Sequence, residues 1–231
     1  LFIFMGLILE KTKIAENLLN SMNSMYASNQ GGLAISVIIV GTLMAASTGI
    51  VGATVVTLGL LSLPVMMKNG YPPSLACGAI CASGTLGQII PPSLVLILLA
   101  DVISSAFQQA QLNAGIFTPE TITIGDLFAG AIIPGLILPL LYIIYIKFCK
   151  IEINKNIEKP KSYNLIKSIL PPIFLIILVL GSIIFGVATP SEAAAVGAGG
   201  ALILGLTYNQ ISKSIMNIAA IETLKITSMV F

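Results

Sequence analysis

The chain has 231 residues and a mass of 24.1 kDa, with 56% hydrophobic residues, 9% charged residues and a mean hydropathy of +1.02. A soluble core of this length cannot hide so much apolar side chain, and disordered segments carry the opposite bias, so both classes are excluded. The apolar runs are continuous rather than alternating, which excludes a transmembrane β-barrel. The net charge of +2 is too balanced to point to nucleic acid.

What remains is an all-α membrane protein with multi-spanning helices. Every basic residue is Lys, and there is no His or Trp. The usual imidazole proton relay and metal ligand are therefore missing. Cys77 and Cys81 lie one helical turn apart in an apolar stretch and read as packing residues, with Cys149 apart from them. Leu1 and Phe231 both fall inside apolar runs, so a piece of a longer protein is expected.

In chain order, residues 1–32 read as the end of a spanning helix followed by a polar connector carrying Lys11 and Lys13. The uncharged run 33–67 follows. As one straight helix it measures about 52 Å, well beyond the ~30 Å hydrocarbon core. Two half-helices of about 15 residues, each about 22 Å long, fit better and predict a re-entrant hairpin. They meet in the small, polar stretch Ala46-Ser47-Thr48-Gly49-Ile50-Val51-Gly52-Ala53-Thr54. The competing reading is one tilted helix with a packing stripe at Gly41, Ala45, Gly49 and Ala53.

Asn69-Gly70 and Pro72-Pro73 mark a turn. Segment 74–108 is long enough to span, yet two glycines and the pair Pro91-Pro92 interrupt it. A discontinuous helix unwound near Gly84 to Gly87 is expected, with a Pro-kinked helix as the alternative. Residues 109–123 read as a periplasmic loop. Segment 124–231 reads as further spanning helices with a Lys-rich cytoplasmic loop at 147–167. Thr189-Pro190-Ser191-Glu192 has the pattern of a helix start, and Gly125-Asp126 suits another. Thr189, Ala193, Gly197, Ala201 and Gly205 form a small-residue stripe for close packing. Residues 209–225 read as an amphipathic surface helix.

A Ser/Thr/Gly-rich tip beside a Ser/Thr/Gly-rich break offers hydroxyls and freed carbonyls, which are hard oxygen ligands for an alkali cation. Helix N-termini there offer N–H groups to a carboxylate. No Asp or Glu lies between Leu33 and Ala100, which favours sodium coupling over a carboxylate proton relay. Catalytic motifs such as Gly-x-Ser-x-Gly are absent, so an enzyme is not expected and no cofactor beyond Na+ is implied. Glu192 has a second reading as an intramembrane functional acid.

Three blocks carry a resemblance: Gly49-Ile50-Val51-Gly52-Ala53-Thr54, the stretch Ala82-Ser83-Gly84-Thr85-Leu86-Gly87-Gln88-Ile89-Ile90-Pro91-Pro92-Ser93, and Ala188-Thr189-Pro190-Ser191-Glu192-Ala193-Ala194-Ala195-Val196-Gly197. Together they resemble the DctM-like large membrane subunit of tripartite ATP-independent periplasmic (TRAP) transporters. The resemblance implies a multi-pass protein of the bacterial inner membrane, one half of an elevator-type importer of the ion-transporter superfamily. It implies sodium-driven uptake of an organic acid, with a periplasmic substrate-binding protein and a small TRAP membrane subunit as partners. A transport-domain half over 33–108 follows from it, with the start of a second half near the end of the chain. By motif, it implies sodium contacts at Ser47, Thr48, Gly49, Ser83, Gly84, Thr85 and Gly87. Substrate contacts are implied at Thr54, Pro91, Pro92 and Ser93. A non-transporting structural subunit and a passive channel are the alternative functions.

Overall fold

Helices form along the apolar runs and continue through Pro64, Pro134, Pro139, Pro171 and Pro172. The structure is a computed structural model describing residues 1–12, 19, 31–149, 165–208 and 210–230, with the side chains of 47, 48, 165–169 and 230 left outside that description. The described residues are helical with no strand among them. In order they form α1 (Phe2–Lys11), α2 (Gly32–Thr48), α3 (Val51–Lys68), α4 (Pro73–Thr85), a 3-10 turn (Leu86–Gln88) and α5 (Leu94–Asn113). Then come α6 (Ile124–Phe148), α7 (Leu165–Ile184), α8 (Pro190–Thr207) and α9 (Lys213–Val230). Most of the connector before Gly31, and residues 150–164 of the Lys-rich stretch, lie outside the described residues.

The run at 33–67 is two helices rather than one. Gly49 takes a left-handed conformation (φ +61°) and Ile50 is extended, so the chain turns between α2 and α3. A Cβ on Gly41 would lie 3.0 Å from Leu58 Cδ1, although 17 residues of straight helix would hold the two about 25 Å apart. The helices therefore fold back on each other, and the single tilted helix is excluded. The arms run 17 and 18 residues, longer than the halves expected. Among the described residues, three helices are long and apolar enough to cross a membrane: Val51–Lys68, Leu94–Asn113 and Ile124–Phe148. Gly32–Ala46 and Leu170–Ile184 are shorter apolar stretches.

Other bounds differ from expectation for local reasons. The stretch Gln109–Asn113 continues α5 instead of opening a loop at 109, because its Ala, Gln and Leu residues are good helix formers even though the stretch as a whole is polar. Gly115 stops it: its N–H bonds Leu112 O (3.0 Å) and the Ile116 N–H bonds Gln111 O (2.9 Å), a Schellman closure. The last helix begins at Lys213 and runs through the apolar residues after Ile226.

Small residues set the packing, as expected where lipid removes the hydrophobic drive between helices. α8 lies against α1 and α7, and its stripe faces them. Ala193 and Ala201 are buried, and a Cβ on Gly197 would meet Met5 Sδ at 2.5 Å and Val179 Cγ2 at 3.0 Å. The hairpin α2–α3 packs chiefly on α4, α6 runs beside α2, α5 and α7, and α1 joins α8 and α9 to α2. The main core contains Ile8, Ile38, Leu58, Met66 and Phe128; a smaller cluster of Ala45, Ala46, Leu86, Ile90 and Ile176 lies beneath the hairpin tip.

Candidate functional site

The tip is built by backbone. The Gly49 N–H closes the last turn of α2 on Ala45 O (3.1 Å), and the N-cap residue of α3 is the apolar Ile50. The N–H groups opening α3 carry the positive end of its dipole. Thr54, fully buried, donates its hydroxyl to Ile50 O at 2.9 Å, fastening the extended residue of the tip to α3.

The second break falls later than Gly84–Gly87. Gly84 is helical, Gly87 sits in the 3-10 turn, and the irregular backbone is Ile89–Ser93, with a cis Pro91–Pro92 bond. Two helical glycines cost about 1 kcal/mol each, which packing against the hairpin offsets; two prolines remove donors that packing cannot restore. Ser93 spans the gap. Its buried hydroxyl donates to Gln88 O (2.7 Å) and accepts from the Leu96 N–H (3.4 Å), so it both closes the break and caps α5.

Tip and break meet. A Cβ on Gly49 would lie 3.2 Å from Pro92 O, 3.6 Å from Leu94 N and 3.9 Å from Ser93 Cα. One on Gly87 would lie 3.3 Å from Ala45 O, and one on Gly84 would press into Val55, 3.2 Å from its N and Cα. The main-chain approaches at 3.2 and 3.3 Å are tighter than nine in ten side-chain Cβ contacts. From the far side, α6 closes over the break, where a Cβ on Gly135 would lie 3.1 Å from Ile90 Cγ1.

The structure therefore brings Gly49, Gly87, Pro92 and Ser93 together, with Pro91 buried among them. Ser83 stands apart from the tip: its Oγ faces Gly41, eight residues before Gly49 and so about 12 Å down α2. Buried there, it donates to Ile80 O at 3.1 Å, while Thr85, on an exposed face, donates to Ala82 O at 2.8 Å. Hydroxyls that give their proton to their own helix keep lone pairs free to accept. The side chains of Ser47 and Thr48 lie outside the described residues.

Sequence reasoning missed Gly135 and Ile90, because a contact between distant segments leaves no local signal. It also gave no sign of an open cleft of ≈ 460 Å³ between α2, α4 and α6, lined by Ile38, Ser74, Gly78, Ala82, Tyr142 and Tyr145. None of the site residues lines it. Asp126 and Glu192 are capping residues. Asp126 Oδ2 accepts from the Thr123 N–H (2.9 Å), and Glu192 Oε2 accepts from the Thr189 N–H (2.8 Å). Each Thr hydroxyl accepts in return from the acid's own N–H, which completes both boxes.

A touching tip and break, free of carboxylates, is the arrangement expected from the resemblance, and comparison with known proteins decides the matter. Residues 1–231 match the family "Tripartite ATP-independent periplasmic transporter, DctM component". The chain belongs to that family. It is 32% identical over 85% of its length to the C4-dicarboxylate TRAP transporter large permease protein DctM of Vibrio cholerae, covering 41% of that protein. Against the protein of the same name from Pseudomonas aeruginosa it is 30% identical over 85% of its length, covering 43%. The ectoine/5-hydroxyectoine permease UehC of Ruegeria pomeroyi is 29% identical over the whole chain, which covers 51% of it. The chain spans about half the length of these curated relatives. This DctM-family chain is a multi-pass protein of the bacterial inner membrane.

Proposed function

We propose that this DctM-family chain forms one half of the large permease subunit of a TRAP transporter, and that the transporter takes up an organic acid by coupling it to sodium. The observation that carries this reading is the contact of Gly49 with Pro92 and Ser93, where two interrupted helices meet without an acid between them. Neutral oxygens hold an alkali ion without the roughly 2.5–3.5 kcal/mol cost of a carboxylate at the bilayer centre.

In this reading Ser47, Thr48 and Gly49 at the tip, with Gly84, Thr85 and Gly87 across from them and Ser83 facing Gly41 further down α2, form and support the sodium site. Thr54, Pro91, Pro92 and Ser93, buried in this state, are the proposed substrate contacts. The substrate carboxylate would meet the N-terminal turn of α3 and the start of α5. A periplasmic binding protein delivers the substrate, and a small membrane subunit completes the complex. The hairpin base, with Lys68, faces the cytoplasm, following the lysine bias of the loops.

The relatives named for C4-dicarboxylate support an acid as substrate; the one named for ectoine shows how widely substrates vary in the family. The test is the full-length transporter with its binding protein in liposomes, with labelled C4-dicarboxylates as substrate. Uptake should need an inward sodium gradient, and the pair Ser47→Ala/Thr48→Ala should raise the sodium concentration required. A structural subunit would tolerate both substitutions unchanged, and a passive channel would conduct with neither gradient nor binding protein.

A further inference from the structure

Two long-range side-chain contacts leave the end of α1, from adjacent residues. Lys11 Nζ pairs with Glu222 Oε2 on α9 at 3.2 Å, tying α1 to the helices it already packs against. Glu10 Oε1 instead accepts a hydrogen bond from Thr57 Oγ1 on the hairpin arm α3 at 2.8 Å. Its other oxygen, Oε2, is buried with no hydrogen-bond partner among the described residues. The two contacts differ in kind. The first joins elements of one packed group, α1, α8 and α9. The second crosses from that group to the hairpin, whose main packing is on α4.

A carboxylate stripped of water on one oxygen and held by one hydroxyl on the other is a poor permanent tie. Its orphan oxygen regains hydration when the arm withdraws, and the Thr57 bond offsets the loss while the arm is docked. Apolar contacts along the same seam carry no such directional preference, so this bond distinguishes one seating of the arm from others.

We infer that Glu10 and Thr57 are positioning residues: a latch that is made in this state and must open for the hairpin to move relative to α1 during transport. The inference rests on the proposed transport reading but not on its ion or substrate. It assigns a role to an acid outside the tip and break, and it predicts that fixing the pair stops turnover.

The experiment uses the full-length transporter with its partners in liposomes, in a background without other cysteines, carrying Glu10→Cys and Thr57→Cys. A short bifunctional methanethiosulfonate should bridge the pair, cut uptake at least about tenfold, and release it to within about twofold of the starting rate on reduction. Bridged protein that transports at the unbridged rate, or a pair that no bridge of that length joins, overturns the latch. Separately, Thr57→Val should change the maximal rate by roughly tenfold with the half-saturating sodium concentration kept within twofold. Glu10→Gln, which keeps an acceptor for Thr57, should change it less. An equal loss in all variants, with no reversal on reduction, means a merely structural contact. A reversible block in a transporter that ignores sodium leaves the latch standing and sinks the sodium coupling.

Discussion

The main chain of Gly49 lies against the carbonyl of Pro92, so closely that a Cβ on the glycine would sit 3.2 Å from that oxygen. The hairpin tip and the helix break thus share a backbone-to-backbone interface, with no side chain to cushion a change. Gly49 is also held at φ +61°, where an L-residue loses about 1–2 kcal/mol. Both effects point the same way. Gly49→Ala in the complete transporter should lower the melting temperature and reduce uptake at least about tenfold, and Gly49→Val should be worse. Gly49→Asn tolerates the left-handed backbone and should fall between Gly and Val in stability. Thermal unfolding in detergent ranks the series, and an alanine variant as stable and active as the parent would falsify the contact.

A second set of glycines separates packing from propensity. Gly84 and Gly87 face Val55 and the Ala45 carbonyl, whereas Gly59 and Gly78 have open space where a Cβ would go. Gly84→Leu should abolish sodium-dependent uptake while the protein still inserts in the membrane, because α4 can no longer seat on α3. Gly59→Ala and Gly78→Ala should be neutral or stabilise by about 0.5–1 kcal/mol, since alanine loses less entropy in a helix. Uptake by Gly84→Leu at the normal rate would remove the hairpin–α4 seam from the mechanism.

How much of this was legible in the sequence depends on whether the cause was local. The turn at Gly49 followed from length, since a 35-residue uncharged run is too long for one span and too short for two. The second break was legible in Pro91-Pro92, but its position was not. Glycine weakens a helix only slightly, and the close seat of Gly84 on Val55 holds α4 together through Thr85. Polarity alone misled at Gln109–Asn113, where helix-forming side chains carry α5 five residues beyond the expected end. The seat of Gly135 on Ile90 and the bond from Thr57 to Glu10 join segments at least 45 residues apart, and no pattern within either segment encodes them.

Ser93 offers a sharper test than the prolines beside it, because its work is done by one atom. Its hydroxyl joins Gln88 O on one side of the break to the Leu96 N–H on the other, in a fully buried position. Ser93→Ala leaves a carbonyl and an N–H without that partner and should cost about 1–2 kcal/mol of stability. Ser93→Thr keeps the hydroxyl and should recover most of it unless the added methyl meets the tip. A chemical denaturation series on the purified full-length protein reads the difference. No loss in Ser93→Ala would mean that the break is held by Pro91 and Pro92 alone.

Glu192 tests whether an acid in an apolar sequence is functional or structural. It starts α8 rather than sitting within it, and Thr189 occupies Oε2 through both its N–H and its hydroxyl, at 2.8 and 2.7 Å. An acid engaged in this way at a helix start complements the dipole and holds the first turn. Glu192→Gln retains an acceptor for Thr189 and should leave the sodium and pH dependence of uptake unchanged, with a small loss of thermal stability. Thr189→Ala should produce a similar loss, and the double variant little more, because both break the same box. If instead Glu192→Gln altered the ion dependence while Thr189→Ala did not, the acid would have a role in coupling that its hydrogen bonds do not reveal.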